Sequence, residues 1–511
     1  MQARGDTFDL LAFSTTGEPI PAHDLAGAMV VDLEGMPAFE HQAEAVPGKV
    51  TLPVPDEPFG LSLPLSVDGF GHVYVRADNS GLGYQPEDTA GRTLNLCLEA
   101  ARSRRAAVTA AERRFRGLGT APSAAFLARM AAAESLLAEV EKSAADPVAC
   151  AGRAMSSLAE SMHAGEMLVV EHARSRIASS GPRSGFPFGC STLEYVRFGR
   201  PYAELFSALL NFATVPFYRA GVEAKEGSLD FDRVERILGW TLRDGLEVKG
   251  HPLVFFDRSG VPKWLADRPF EEAKALHRRY ILDVVGRYRD RIHMWDVINE
   301  AHDWANDLDY SQEQLLEMTR VAAESTREAD PTATTVVNSC CTWSEYVARG
   351  RNYRGPIGRP ARTVLQYVRD AMAAGIDFDV IGLQMYYPEQ DMFEIDRQLD
   401  RFCALGKPVH ITELGVSSSP DPQKWYNEMR KPCPRYWHGR PWSETEQADW
   451  IEAFYTLCYA KPGIDAVSWW DFNEPSFVPH SALTREDLQP KEGYHRMKRL
   501  IESWSGRAGG A

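Results

Sequence analysis

The chain has 511 residues, of which 44% are hydrophobic and 25% charged, and its formal net charge is −15. This composition is typical of a soluble globular protein, and the length exceeds the ~250–300 residues that one core accommodates, so we expect a large domain with additional structure. The negative charge disfavours polyanionic partners, namely nucleic acid and anionic membrane surfaces. The sequence does not indicate an oligomeric state.

The eight cysteines include an adjacent pair, Cys340-Cys341, but no Cys-x-x-Cys pairs and no Cys/His cluster with metal spacing. We therefore predict no metal site, no cofactor and no disulfide framework. Residues 1–6 lack the apolar core of a secretory signal, and no window reaches the ~18 apolar residues of a membrane span. These patterns predict a cytoplasmic protein, or a secreted one if a signal has been removed.

Residues 1–92 are predicted to be rich in β-structure. The stretches 50–54, 61–67 and 72–76 alternate with the period of a strand and are separated by Pro-Asp, Asp-Gly and Asn-Ser-Gly turn signals. A small antiparallel sandwich fits this pattern. A carbohydrate-binding role would need exposed aromatic residues, and only Tyr74 and Tyr84 are candidates, so a structural role is favoured.

Residues 93–184 are rich in Ala, Arg, Glu and Leu, and the apolar residues between 126 and 140 have helical spacing. The stretches 117–122 and 146–147 contain Gly and Pro breakers, which predicts two or three packed helices. We interpret this segment as a helical spacer or brace.

After a linker at 181–185, strand and helix patterns alternate through 185–505. Eight such units predict a (β/α)₈ TIM barrel. An open doubly wound sheet is the alternative, but the Gly-x-Gly-x-x-Gly turn expected after its first strand is absent. The predicted strands lie near Phe188, Ala213, Leu253, Val297, Val336, Ile381, Ile411 and Val467, and helices are predicted at 231–242, 271–288, 312–329, 362–373 and 444–459.

Two of these strands end in glutamate. The stretch 293–300 ends in Asn299-Glu300, and the stretch 408–413 ends in Glu413. In the predicted barrel they belong to strands four and seven, so both carboxyls would lie at one mouth, where they can flank a glycosidic bond. A separation of ~5–5.5 Å would predict retention of anomeric configuration, and ~6.5–9.5 Å inversion. The alternative is that each glutamate merely caps a loop.

At these residues the chain resembles glycoside hydrolase family 10, the retaining endo-β-1,4-xylanases, across about 185–505. The stretch Trp-Asp-Val-Ile-Asn-Glu-Ala at 295–301 resembles the family's acid/base signature, and Ile-Thr-Glu-Leu at 411–414 its nucleophile strand. Gly-His-Pro-Leu-Val at 250–254 and Gly-Leu-Gln at 382–384 resemble its third and sixth strand motifs.

The resemblance implies that Glu300 is the acid/base and Glu413 the nucleophile, with Glu300 protonated and Glu413 ionised near neutral pH. It also implies that Asn299, His251 and Gln384 bind the innermost sugar. Of the adjacent Trp469 and Trp470, the resemblance assigns Trp469 to sugar stacking, although strand alternation allows only one of them to face the mouth.

The chain also departs from the family pattern. The family's supporting histidine on strand six is Tyr386 here, and the Asp two residues after the nucleophile is Gly415. We hypothesise that the Tyr386 phenol replaces the histidine as a hydrogen-bond donor to Glu413. On strand three, Phe255-Phe256 replaces Trp-His, and on strand two the stretch 215–220 lacks the Asn and Lys that hold the next sugar.

We therefore expect a divergent retaining endo-β-1,4-xylanase whose partner is xylan or another β-1,4-linked polysaccharide or oligosaccharide. One alternative keeps the mechanism and changes the substrate to a decorated xylan, a mixed β-glucan or another glycoside. The other is an inactive carbohydrate-binding barrel, which the altered surroundings of Glu413 suggest.

Overall fold

A computed structural model describes residues 1–142, 146–386, 389–421 and 436–505. Within these ranges no helix combines the length and apolar character that crossing a bilayer requires.

The amino-terminal segment forms two small sheets that share one apolar core. One sheet has the strand order β3-β4-β1-β7 and the other β2-β5-β6. Strand β4 alternates between buried and partly buried residues, so its buried side chains form one face that packs into the core. The elements are β1 (Ala3–Leu11), α1 (Ala22–Leu25), β2 (Met29–Val31), β3 (Glu44–Val46), β4 (Lys49–Pro55), β5 (Gly60–Val67), β6 (Gly71–Ala77), a 3₁₀ turn (Asn79–Gly81), α2 (Pro86–Thr89) and β7 (Thr93–Asn95).

Three helices follow: α3 (Leu96–Gly117), α4 (Ala124–Glu141) and α5 (Pro147–Ser180). Asp146 caps α5, because its Oδ1 accepts hydrogen bonds from the first free amides of the helix and Pro147 needs no such partner. The first half of α5 packs into the amino-terminal core and its second half into the barrel core. The division into 1–92, 93–184 and 185–505 stays a prediction.

The remainder is a closed barrel of eight parallel strands, in the order β10-β11-β12-β15-β16-β19-β8-β9. This is the (β/α)₈ TIM barrel that the alternating pattern predicts. The elements are β8 (Phe188–Ser191), α6 (Tyr195–Phe198), α7 (Arg200–Ser207), β9 (Phe212–Pro216), α8 (Arg219–Val222), α9 (Asp232–Thr241), β10 (Glu247–His251), α10 (Phe270–Tyr288), β11 (Met294–Asn299), α11 (Gln312–Ala329), β12 (Thr334–Ser339), α12 (Glu345–Arg349), β13 (Arg351–Asn352), β14 (Gly355–Pro356), α13 (Val364–Ala373), β15 (Val380–Met385), α14 (Met392–Cys403), β16 (Val409–Leu414), β17 (Tyr436–Trp437), β18 (Arg440–Pro441), α15 (Glu444–Ala460), β19 (Ile464–Trp469) and α16 (Glu492–Trp504).

Seven of the eight predicted strand centres lie within these strands. The exception is Leu253, which follows β10, because that strand ends at His251 and the chain then turns. The apolar run 252–256 that suggested a strand is buried in the loop instead.

The amino-terminal sheets contact the barrel at the loops that follow its fifth and sixth strands. The amide of His41 donates to the carbonyl of Ala348 at 2.9 Å, and the amide of Tyr74 donates to the carbonyl of Glu389 at 2.9 Å. Helix α5 adds a third contact, because Oε1 of Glu166 accepts a hydrogen bond from the amide of Met392 at 2.8 Å. The barrel loops are therefore held from outside the barrel.

Candidate active site

Glu300 and Glu413 line one cavity at the carboxyl ends of the barrel strands. Glu413 lies within β16, and Glu300 is the first residue after β11. The cavity encloses about 260 Å³. Glu413 is only 5% exposed, whereas Glu300 is partly exposed and has a φ of +55°, which ends the strand at the mouth. The lining residues are Tyr218, His251, Phe255, Asp257, Ser259, Asn299, Glu300, Trp304, Cys340, Cys341, Gln384, Tyr386, Glu413, Trp470 and Phe477.

Three side-chain amides connect the two carboxyls. The amide nitrogen of Asn338 donates to Oε1 of Glu413 at 3.0 Å and to Oδ1 of Asn299 at 2.9 Å. The amide nitrogen of Gln384 donates to the same Oδ1 of Asn299 at 3.1 Å and to Oε1 of Glu300 at 2.9 Å. The carboxyls therefore have fixed positions relative to each other.

Asn338 is a site residue that the sequence analysis missed. It lies in β12, is fully buried, and its Oδ1 accepts a hydrogen bond from the Thr412 hydroxyl at 2.5 Å. An amide in the apolar run Thr-Val-Val-Asn at 335–338 was the available signal, because a buried polar side chain needs partners.

His251 is oriented by a buried ion pair beneath the cavity. Its Nδ1 lies 2.6 Å from Oδ2 of Asp296, and the same oxygen lies 2.7 Å from Nζ of Lys249. The Nε2 of His251 faces the nucleophile candidate, 3.8 Å from Oε1 of Glu413. Charged residues inside strands β10 and β11 were the sequence signal for Lys249 and Asp296, since burial of a charge requires a partner.

Tyr386 contacts the nucleophile candidate directly. Its hydroxyl donates a hydrogen bond to Oε2 of Glu413 at 2.7 Å, which is the contact that the tyrosine hypothesis requires. A Cβ atom at Gly415 would lie 3.5 Å from Cδ1 of Tyr386 and 3.3 Å from Oγ of Ser481. The first distance is an ordinary van der Waals contact and the second is slightly tight, so Gly415 lies directly beside the Tyr386 ring and Ser481.

Burial raises the pKa of the Glu413 carboxyl above its ordinary value. The nearby His251, the hydrogen bond from Tyr386 and the charge of Lys249 act in the opposite direction. Hydrogen bonding therefore favours the ionised form of Glu413, as expected, but desolvation of the buried carboxyl opposes it and has the larger effect on the pKa. Burial and the charges of Glu413 and Glu300 also raise the pKa of Tyr218 well above its ordinary value.

The two tryptophans at the end of β19 have different surroundings. The Trp469 side chain is fully buried, and its indole nitrogen donates to the carbonyl of Ser481 at 3.0 Å. Trp470 lines the cavity instead, with its ring 5.3 Å from that of His251 in an edge-on arrangement. The structure thus brings His251, Asn299, Gln384 and Tyr386 to the two glutamates but places Trp469 outside the cavity, because neighbouring strand residues alternate in direction.

The stretch after the second barrel strand contributes one aromatic ring and no cation to the cavity wall. Tyr218 lines the cavity, whereas Arg219 is 1% exposed and forms an ion pair with Glu223 at 2.7 Å. Its guanidinium also lies over the rings of Trp264 and Tyr280. Phe255 lines the cavity, but its neighbour Phe256 packs away from it.

The described part of the chain contains no group of three or more His, Cys, Asp or Glu side chains arranged to hold a metal ion. The polar groups that line the cavity are carboxyls, amides, an imidazole, phenols, indoles, thiols and the Ser259 hydroxyl.

Comparison with known proteins gives a family match. Residues 218–499 match the sequence profile described as Glycosyl hydrolase family 10. Endo-1,4-beta-xylanase B of Thermotoga neapolitana is 23% identical over 299 residues, which are 55% of this chain and 77% of that protein. Endo-1,4-beta-xylanase B of Paenibacillus barcinonensis is 28% identical over 215 residues, 38% of this chain and 58% of that protein.

The chain covers a smaller part of other relatives. It spans 21% of Endo-1,4-beta-xylanase C of Paenibacillus barcinonensis, with 24% identity over 245 residues. Among solved structures, native xylanase 10B from Thermotoga maritima has a TM-score of 0.49 and 20% identity, over 63% of this chain and 96% of that chain.

Proposed function

The chain belongs to glycosyl hydrolase family 10 as a divergent member, and we propose that it cleaves internal β-1,4-xylosidic bonds of xylan with retention of configuration. The single observation that carries the proposal is the pair of glutamates in one cavity, joined through Asn338, Asn299 and Gln384. A linked, oriented pair of carboxyls is what a double displacement needs.

In the proposed mechanism Glu413 attacks the anomeric carbon while Glu300 donates a proton to the leaving oxygen. This step forms a glycosyl ester on Glu413 and releases the shortened chain. Glu300, now ionised, then removes a proton from water, which attacks the same carbon and frees Glu413. Partial exposure of Glu300 supports its role, since the water that it deprotonates in the second step must be able to reach it.

The surroundings of Glu413 support its role as nucleophile. Asn338 binds one carboxylate oxygen and Tyr386 the other, so the carboxylate cannot rotate freely. Fixed donors of this kind cost little reorganisation during the reaction. Burial destabilises the negative charge of Glu413. This favours the attack on the sugar, in which the carboxylate becomes a neutral glycosyl ester.

We assign sugar binding at the reacting centre to His251, Asn299, Gln384 and Trp470. Asn299 hydrogen-bonds Glu300 through its amide nitrogen at 3.3 Å, and this nitrogen is the group we propose for the sugar hydroxyl next to the reacting carbon. Trp470, rather than Trp469, offers a ring to the apolar face of the sugar.

The substrate is proposed to be xylan or its oligosaccharides. Similarity to endo-1,4-beta-xylanases supports this choice. The stretch 215–220 weakens it for the outer sugar, because Arg219 is paired with Glu223 and directed away from the cavity. A different β-1,4-linked polysaccharide is the second candidate for this reason.

The test uses the full chain on xylan, mixed β-glucan and an activated aryl β-xyloside. Glu413→Ala should abolish turnover of every substrate, whereas Glu300→Ala should lose xylan hydrolysis and keep formation of the glycosyl-enzyme from the aryl xyloside, whose leaving group needs no proton. Azide should rescue the second variant. Glu271→Gln, at a position 75% exposed on α10, is the control and should match the unaltered chain.

The stereochemistry of the first product decides the mechanism. Proton NMR of fresh product should show the β-anomer before mutarotation. An α-anomer would contradict retention, and equal activity of Glu413→Ala and the unaltered chain would contradict the assignment of the nucleophile. Turnover of β-glucan without turnover of xylan would replace the proposed substrate.

A further inference from the structure

Two consecutive cysteines lie in the wall of the catalytic cavity. Cys340 is the first residue after β12, and both Cys340 and Cys341 line the cavity with Glu300. They are 5% and 1% exposed, and the cavity is the opening that both residues line.

The backbone places both thiols on the same side. Consecutive residues of a strand point to opposite faces, but Cys341 has a φ of +52°. This left-handed conformation is uncommon for a residue with a side chain, because its Cβ approaches the following carbonyl oxygen. Such strained residues cluster at functional sites.

The sulfur atoms are close enough to act together. The Sγ of Cys340 lies 3.4 Å from the Sγ of Cys341 and 3.9 Å from Nε2 of His302. His302 is fully buried, and burial lowers its pKa to about 3, so its ring is neutral and places no positive charge beside the thiols. Two neighbouring thiols are suited to bind a soft metal or metalloid atom, which prefers sulfur ligands.

We propose that Cys340 and Cys341 form a dithiol site that binds a trivalent arsenical inside the catalytic cavity. With phenylarsine oxide in its hydrated form, two arsenic–oxygen bonds break and two arsenic–sulfur bonds form. Each thiol proton leaves with a hydroxide as water, and arsenic does not change its oxidation state. The bound phenylarsenic group would occupy space beside Glu300 and exclude substrate.

Both thiols are needed for tight binding. After the first arsenic–sulfur bond forms, the second thiol reacts within the same molecule, which raises overall affinity by about 10²–10⁴-fold. The variants Cys340→Ser and Cys341→Ser should each lose this gain. Cys403→Ser is the control, because Cys403 lies at the end of α14 and does not line the cavity.

The experiment is intact-protein mass spectrometry of the full chain with phenylarsine oxide and an excess of a monothiol, which competes with binding to single cysteines. The unaltered chain and Cys403→Ser should gain one phenylarsenic group that 2,3-dimercaptopropanol removes. Cys340→Ser and Cys341→Ser should need at least about 100-fold more reagent. Undiminished binding in either variant, or no binding by the unaltered chain, would overturn the proposal.

Two further measurements keep the outcome interpretable. Cys341→Asn tests the same loss with a residue that tolerates a positive φ, and each variant is compared with the unaltered chain by urea unfolding. Mass gain does not depend on catalysis, so the result stands if xylan hydrolysis fails. If the chain hydrolyses an aryl β-xyloside, phenylarsine oxide should inhibit the unaltered chain and Cys403→Ser but spare the two cavity variants, and equal inhibition of all would contradict the site.

Discussion

The Tyr386 hydroxyl and Oε2 of Glu413 are joined by a hydrogen bond of 2.7 Å. A hydrogen bond to a charged group contributes about 1.5–3 kcal/mol, so Tyr386→Phe should lower kcat on an aryl β-xyloside by about 10–100-fold. The acid limb of the kcat/KM profile should also move to higher pH, because this bond lowers the pKa of Glu413 and activity falls as Glu413 becomes protonated. Tyr310→Phe is the control, as the Tyr310 hydroxyl has no hydrogen-bond partner among the described residues. An unchanged rate for Tyr386→Phe would remove Tyr386 from the mechanism.

Asn338→Leu tests the amide connection between the carboxyls. The substitution removes the donors to Glu413 and Asn299 and leaves their buried oxygens short of partners, at about 1–3 kcal/mol each. We expect kcat/KM to fall by about 10²-fold and the acid limb to move to higher pH. Steady-state kinetics between about pH 4 and pH 8, where a carboxyl with a raised pKa titrates, measures both quantities. A loss of folding stability with normal kcat/KM would contradict this role.

Trp469 and Trp470 should separate stability from binding. Trp470→Ala removes a ring from the cavity wall and should lower kcat/KM by about 2- to 10-fold, which corresponds to ~0.5–1.5 kcal/mol for a stacked ring. Trp469→Ala leaves a hole in the packed interior and should lower the free energy of unfolding by about 3–5 kcal/mol. Both variants are measured by steady-state kinetics and urea unfolding. If Trp469 were the sugar-binding ring, Trp469→Ala would show the larger loss of kcat/KM and Trp470→Ala the larger loss of unfolding free energy.

Asp471 should make stability depend on pH. Burial raises its pKa from 3.8 to about 7, so the stability linked to protonated Asp471 is fully present below about pH 4 and is lost as pH rises through 7. Asp471→Asn still offers an acceptor to the Ser481 hydroxyl and the Phe477 amide. Relative to the unaltered chain, this variant should gain at most about 4 kcal/mol between pH 4 and pH 8.

Urea unfolding at several pH values measures this difference. Asp290→Asn, at a side chain that is 93% exposed, is the control and should follow the unaltered chain. Parallel curves for Asp471→Asn and the unaltered chain would show that Asp471 is ionised in the folded protein throughout this range.

Arg219 is predicted to act on stability rather than on substrate affinity. Arg219→Met leaves the carboxyl of Glu223 buried without its main partner, which costs about 3–5 kcal/mol. The double variant with Glu223→Gln should recover part of this loss, and KM should stay unchanged in both. A raised KM in a stable single variant would show that Arg219 takes part in binding the substrate.

The barrel and its two carboxyls followed from the sequence because strand ends carry direct signals. Helix 312–329 matches α11, since Ser311 caps its start and the apolar spacing continues to its end. Asn299, Gln384 and His251 lie in short motifs at strand ends, where the parallel barrel brings them together.

Other features depend on contacts that spacing does not encode. Asn338 has its partners 39 and 75 positions away in the chain, and only folding brings Asn299 and Glu413 to it. The choice between Trp469 and Trp470 depends on the phase of strand β19, which a one-residue shift reverses. Arg219 points away from the cavity and lies over the rings of Trp264 and Tyr280. The sequence alone does not predict that these rings are near it.

Two backbone hydrogen bonds, from the amide of Tyr74 to the carbonyl of Glu389 and from the amide of His41 to the carbonyl of Ala348, make it hard to move the barrel alone into another protein. An excised barrel would expose the carbonyl of Glu389, three residues after Tyr386, and that of Ala348 in helix α12. These carbonyls now accept hydrogen bonds from the amide of Tyr74 in β6 and the amide of His41 in the loop between β2 and β3. Fusion of this barrel to a foreign partner would therefore disturb the loop that carries the Tyr386 phenol, whereas a family member with a self-sufficient barrel would tolerate the exchange.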